Sequence, residues 1–309
     1  MKEIQKVIVC GIGAIGSIYA NKLNEYDSEN LRILVDEKRL KKYTFSPHIF
    51  NGKEMKLNYI TPDKTDFTAD LIIIATKFDG LNDVIKNMKN FVGEDTIIIS
   101  LINGVTSEDI IAKEYGYKHL MHSFYIGHSA MRNGNYITFD GCGTIVFGIK
   151  DTQKTDECDL ERVKSFFDKV GINYKIPDDI SRSMWLKYML NVSCNQTSAV
   201  LKTSFGQMQK NTKYRALIKN IMLEVLSIAE KSGISNTQSM LDEAFAAFDK
   251  MSPDGKTSML QDVEAGRKTE LAIFADTVIN LGVKYNIPTP YNTILKEMIE
   301  VMENQSENI

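Results

Sequence analysis

The stretch Ser183–Ala199, SMWLKYMLNVSCNQTSA, spaces Lys187, Asn191 and Asn195 four residues apart. On one helix that interval stacks all three on a single stripe. Met184, Met189, Leu190 and Val192 crowd the remaining faces, and a helix apolar on most sides is buried. A lysine and two asparagines buried together need a ligand or partner to offset their lost hydration. The plainer alternative is a polar stripe facing solvent. A second cluster, SMLQDVEAGRKTELAIF from Ser258 to Phe274, offers Arg267 and Glu270 at the spacing of an intrahelical ion pair. Such a pair contributes only about 0.2–0.5 kcal/mol. Ser258 and Gln261 have the form of a capping box opening a long helix. Gly266 then falls mid-helix, where it costs about 1 kcal/mol against alanine, so close packing against a backbone or ligand is expected there.

The third constellation is the loop Gly11-Ile12-Gly13-Ala14-Ile15-Gly16, which follows an apolar strand and opens a helical stretch. Gly11 permits a tight turn, and Gly13 lets the backbone approach a pyrophosphate. Gly16 lets helix and strand pack closely, while the helix N-terminus supplies N–H donors for phosphates. Glycines in this spacing can also mark nothing more than a turn. Here an acid, Asp36, stands twenty residues beyond Gly16, where a side chain meets the adenosine ribose. A carboxylate there accepts from both ribose hydroxyls and repels a 2′-phosphate. At about 4 Å and an effective dielectric near 20 the repulsion is roughly 4 kcal/mol, about a thousandfold against NADP. NAD(H) is therefore favoured. The alternative is NADP(H), with Lys38 and Arg39 folded onto the phosphate and Asp36 turned away.

These groups need two kinds of scaffold. Up to about residue 177, strand-length apolar runs (Lys6–Cys10, Leu31–Val35, Leu71–Ala75, Thr96–Leu101) alternate with helical stretches such as Ala14–Tyr26. Continuous apolar runs of that length suit a parallel sheet covered on both faces. A doubly wound sheet follows, with ligand sites at the carboxyl ends of its strands. His48–Ile60 and Asn135–Gly148 read as hairpins or edge strands. From residue 178 to 309 the grammar is helical, broken at Ser232-Gly233, at Ser252–Gly255 and at Ile287–Pro290. Thr289 followed by Pro290 is a helix start. The expected fold is thus α/β, a Rossmann-like domain over 1–177 followed by an all-helical domain over 178–309.

The chain has 309 residues, 43% hydrophobic and 25% charged, with a net charge of −3. That balance suits a soluble globular protein and gives no basic footprint for nucleic acid; KRLKK at Lys38–Lys42 reads as a solvated helix face. No apolar stretch approaches the roughly 20 residues of a membrane span. The scattered Cys10, Cys142, Cys158 and Cys194 suit reduced thiols in the cytoplasm. His48, His119, His122 and His128 lack metal-ligand spacing, so no metal is expected.

Several of these segments together resemble one family. GIGAIG, ATK at Ala75–Lys77, NGV at Asn103–Val105, WLKYMLNVSCN at Trp185–Asn195 and SMLQDVEAGRKTE at Ser258–Glu270 are similar to the ketopantoate reductase family. The resemblance runs in order along essentially the whole chain. It implies an NAD(P)-binding domain and a helical domain facing each other across a cleft. There a 2-oxo acid is reduced to a D-2-hydroxy acid, with closure excluding water. It implies Lys187 as the catalytic lysine and Glu270 as the catalytic carboxylate. Asn103, Asn191, Asn195 and Ser258 would bind substrate. Lys77 would lie near the nicotinamide or the substrate carboxylate, Asn103 would also bind the cofactor, and a homodimer is plausible. Two departures stand out. NADP-binding members carry a basic residue where this chain has Asp36. An asparagine that precedes the serine in some members is replaced near Gly255. Three activities stay open: ketopantoate reduction, oxidoreduction of another branched or aromatic 2-oxo acid, and nicotinamide binding without turnover.

Overall fold

The computed structural model describes residues 2–127, 130–139, 141–150 and 155–307. They divide into two compact units, Met1–Ile180 and Ser181–Ile309.

The first unit is built on an eight-stranded sheet. Its strands are β1 (Val7–Cys10), β2 (Leu31–Leu34), β5 (Tyr59–Ile60), β6 (Ala69–Ile74), β7 (Val92–Ser100), β8 (Leu120–Ile126), β11 (Thr144–Gly148) and β12 (Tyr174–Lys175). Their order across the sheet is β12-β11-β8-β7-β6-β1-β2-β5. Every pairing is parallel except β11 with β8. The stretch β5-β2-β1-β6-β7-β8 is the strand order of a dinucleotide-binding sheet. The apolar runs are its centre: every residue of β1 and β6 is buried. Each fully buried Val, Leu or Ile contributes about 1.5–3 kcal/mol against exposure. Helices α1 (Ala14–Asp27), α2 (Glu37–Phe45), α3 (Leu81–Asn87), α4 (Ser107–Tyr115) and α5 (Glu157–Val170) connect and cover the strands.

The hairpin segments form a second, four-stranded sheet. It pairs β3 (Ile49–Phe50) and β4 (Lys53–Glu54) with β9 (Met131–Asn133) and β10 (Tyr136–Thr138) in the order β4-β3-β10-β9. Within the stretch expected to be hairpin or edge, β11 departs: it lies inside the main sheet, between β8 and β12.

The second unit is helical: α6 (Ile180–Leu201), α7 (Phe205–Lys210), α8 (Thr212–Lys231), α9 (Met240–Asp249), α10 (Ser258–Glu264), α11 (Thr277–Tyr285) and α12 (Pro290–Glu307). The breaks fall where glycine or proline demands them; Gly233, for instance, ends the α8 turn at φ +86°. One turn of π-helix, Ala272–Asp276, leads into α11. No helix among the described residues is long and apolar enough to cross a membrane.

The long helix expected from Ser258 is not formed. Its cap is Thr257, whose hydroxyl accepts from the Leu260 amide at 3.1 Å. Ser258 therefore occupies the first helical position. The helix stops at Glu264, and Gly266 sits at φ +61° with nothing within 4 Å of where a Cβ would stand. The turn, not close packing, is what calls for glycine there. Residues 267–270 are not helical, so the intrahelical reading of Arg267 with Glu270 fails. Arg267 instead pairs with Asp262 at 2.7 Å.

Candidate active site

The carboxyl ends of β1, β6 and β7 set the first group of residues on one edge. The Ala75 amide donates to the Cys10 carbonyl and the Leu101 amide to the Ile74 carbonyl. The glycine loop, Lys77 and Asn103 therefore leave the sheet side by side. Gly11 lies at φ +94°, and a Cβ on it would stand 2.8 Å from the Thr76 amide nitrogen. A Cβ on Gly16 would stand 1.9 Å from the Gly11 carbonyl oxygen. Both glycines are obligatory for turn and packing. Gly13 has open space around it, and no side chain caps α1. The helix presents unpaired amides beside an unobstructed backbone, which fits the diphosphate of a dinucleotide. Ile12, Ala14 and Ile15 complete that loop.

Asp36 follows β2 as the N-cap of α2. Its carboxylate accepts from the Arg39 amide at 2.6 Å and also from the Arg39 guanidinium. Asp36 thus stands where the sequence places an acid, already paired with one of the two cations of the opposing reading. Lys77 is exposed at the start of a short 3-10 turn, Phe78–Gly80. Asn103 is half-buried beside Gly104, itself at φ +107°.

A buried ring of hydrogen bonds closes the base of the Asn103 loop. Ser100 Oγ donates to Ser107 Oγ at 3.1 Å, and Ser107 to the Glu108 carboxylate at 2.8 Å. Glu108 also accepts from the Ser123 amide, and Ser123 Oγ donates to the Ser100 carbonyl at 2.7 Å. Burial pushes the Glu108 carboxyl up to about 7, against the pull of those donors. His122, next to Ser123 on β8, is buried too, and burial holds its imidazole down to about 4. His128 lies outside the described residues.

The second unit carries the lysine group. Helix α6 is buried nearly all round, from Met184 and Trp185 through Ala199, while Lys187 and Asn191 are half-buried. Asn195 is 5% exposed. Its Nδ2 donates to the Asn191 carbonyl at 2.9 Å, and its Oδ1 accepts from Ser258 Oγ and from the Met259 amide, each at 3.2 Å. Ser198 and Thr257 add a second hydroxyl link between the same helices. Tyr188, next to Lys187, donates to the Ile273 and Phe274 carbonyls. The amides of those residues in turn donate to the Glu270 carbonyl. The turn that carries Glu270 is therefore tethered beside the α6 turn that carries Lys187. Thr257, Tyr188 and the Glu108 ring escape sequence reading: hydroxyls have no spacing signature, and Glu108 beside Asp109 looks like any acid in a first helical turn.

Strand order, glycine loop and helical second unit define a Rossmann-type dinucleotide-binding protein with an appended helical domain. A family model described as ketopantoate reductase PanE/ApbA matches residues 7–151. Its counterpart, ketopantoate reductase PanE/ApbA C terminal, matches residues 179–303. The chain belongs to the ketopantoate reductase family, as its motifs lead one to expect. It is 25% identical over 306 residues to 2-dehydropantoate 2-reductase of Aquifex aeolicus (strain VF5), covering 97% of each chain. Among solved structures it is similar to D-mandelate dehydrogenase with NADH and anilino(oxo)acetate. The TM-score there is 0.85 at 22% identity, covering 98% of this chain and 99% of that one. A dimeric ketopantoate reductase from Staphylococcus aureus gives 0.76 at 18%, covering 97% and 99%. At those identities the two structures show the shared fold.

Proposed function

We propose that this chain reduces 2-dehydropantoate to D-pantoate with a nicotinamide cofactor held at the glycine loop. The observation that carries the reading is the α6 stripe of Lys187, Asn191 and Asn195, with Asn195 bonded to Ser258, in a chain of this family. When bound, the reduced nicotinamide supplies hydride to C2 of the 2-oxo acid. Lys187, as the ammonium ion, donates to the C2 oxygen and delivers a proton to the alkoxide. Glu270 orients that ammonium and favours its charged form. The amides of Asn103, Asn191 and Asn195 and the hydroxyl of Ser258 hold the substrate without adding a second charge. Lys77 serves the nicotinamide end.

NADH is the cofactor we assign, because the Asp36 carboxylate stands at the end of β2 and its negative charge opposes a 2′-phosphate. Arg39 is the counterweight, and its pairing with Asp36 leaves it less available. We also assign a homodimer formed through α12. Its Tyr291, Ile294, Met298 and Val301 recur at three- and four-residue spacing and are 39–56% exposed, an apolar stripe that water disfavours. The four cysteines are free thiols, which suits the reducing cytoplasm.

A second reading, an NAD-dependent D-2-hydroxyacid dehydrogenase for another branched or aromatic 2-oxo acid, is favoured by Gly255. No amide is offered there, and a Cβ would press on the Ser252 carbonyl at 3.0 Å and the Phe205 ring at 3.1 Å. Initial rates with 2-dehydropantoate and a panel of 2-oxo acids separate the readings. Turnover with 2-dehydropantoate supports the first and turnover only with others the second. Cofactor binding without turnover on any acid contradicts both.

A further inference from the structure

The guanidinium of Arg132, in β9, meets three separate parts of the first unit. Its Nη1 donates to the Ile12 carbonyl at 2.8 Å, inside the glycine loop. Its Nε donates to the Gly134 carbonyl at 2.8 Å, in the turn of its own β9–β10 hairpin. Its Nη2 lies 3.4 Å from Nε2 of His48, just before β3. His48 is fully buried against the Tyr43 ring. Burial, with the charges of Arg132 and Lys42, holds it down to about 4. It is therefore neutral at ordinary pH, and its Nε2 can accept from the arginine.

The Ile12 carbonyl takes a second donor, Ser17 Oγ, at 3.2 Å. In a trans peptide the carbonyl and the following N–H point in opposite directions. Two donors on the Ile12 oxygen thus turn the Gly13 amide away from Arg132 and Ser17, and Gly13 has open space beside it. A peptide free to flip would present its carbonyl oxygen to a diphosphate in some fraction of molecules and repel it.

We propose that Arg132 is a positioning residue for the cofactor diphosphate, locking the Ile12–Gly13 peptide so that the loop presents amides rather than a carbonyl to the phosphate oxygens. The four-stranded sheet thereby supports the glycine loop, since β9 and β10 carry the arginine and the segment leading into β3 supplies the imidazole that steadies it. The inference rests on reading the glycine loop as a dinucleotide site, and it does not depend on which 2-oxo acid is reduced.

The test is binding of NADH, by fluorescence titration, to the wild type and to Arg132→Met, with displacement by ADP-ribose and by adenosine. The expected result is a loss of about tenfold to a hundredfold for NADH and ADP-ribose. Adenosine, which has no diphosphate, stays within about twofold of wild type. Arg132→Lys, which keeps the charge and one donor, recovers part of the loss. Equal weakening of adenosine and ADP-ribose marks a structural role and overturns the proposal, as does unchanged NADH affinity. Should Arg132→Met not fold, Ser17→Ala, which removes the other donor to the Ile12 carbonyl, is read by the same comparison. A wild type that binds no dinucleotide overturns the reading of the loop itself. A wild type that binds NADH while the variant matches it overturns the inference alone.

Discussion

The side-chain oxygen of Asn195 accepts from the hydroxyl of Ser258 and from the Met259 amide, each at 3.2 Å, fastening the middle of α6 to the first turn of α10. With Nδ2 on the Asn191 carbonyl, most of this buried amide is spent on positioning. Asn195→Ala strands the Met259 donor, so a loss of about 1–3 kcal/mol is expected in chemical denaturation. A fall in kcat/KM should accompany it as Ser258 loses its orientation. Ser258→Ala should lower kcat/KM with much less effect on stability, since Ser258 is exposed.

Asp36 both caps α2 and pairs with Arg39. A serine retains the cap while removing the charge that opposes a 2′-phosphate and releasing Arg39. Asp36→Ser should therefore shift the ratio of kcat/KM for NADPH over NADH upward by one to two orders of magnitude, read from initial rates with each cofactor. A ratio that stays put would remove Asp36 from the choice.

Glu108 makes stability depend on pH in a definite sense. Its carboxyl is raised from 4.5 to about 7 by burial, so between those values the folded chain holds a proton that the unfolded chain has released. Stability then falls as pH rises through that window, by on the order of 3 kcal/mol, and is flat above it. Glu108→Gln removes the dependence. His48 and His122, held down to about 4, act oppositely between their folded values and 6.5. The difference between wild type and variant, measured by denaturant titration from pH 4.5 to 8, isolates Glu108. A constant difference contradicts this.

The α12 stripe predicts assembly. Met298→Glu, at a 45% exposed position, places a charge within the proposed contact. It should convert a dimer to a monomer in sedimentation, with the folded state retained. A wild-type monomer would remove that assignment.

What the sequence reveals follows from constraint. Gly11 and Gly16 are legible because no other residue fits the turn and the helix–strand contact. The Leu71–Ala75 run is legible because a strand covered by helices on both faces reads as a continuous apolar run. The α6 stripe is visible in its four-residue spacing. Neighbouring hydroxyls are not separable: Thr257 and Ser258 both satisfy a cap by type, and only backbone geometry assigns the cap to Thr257. Gly266 misleads because a glycine that ends a helix and one that thins it look alike in sequence. Arg132 gives no signal, since the two partners that tie it to the glycine loop and to His48 lie 120 and 84 residues away.

Lys187 as the proton donor in reduction of a 2-oxo acid is the step on which the proposed function turns. It is probed by the turnover of 2-dehydropantoate at saturating NADH by wild type and by Lys187→Ala, with NADH affinity measured on both. Efficient wild-type turnover is expected, with kcat lowered by about 100- to 10,000-fold in the variant at unchanged NADH affinity. Near-normal turnover by the variant would show that the proton comes from elsewhere.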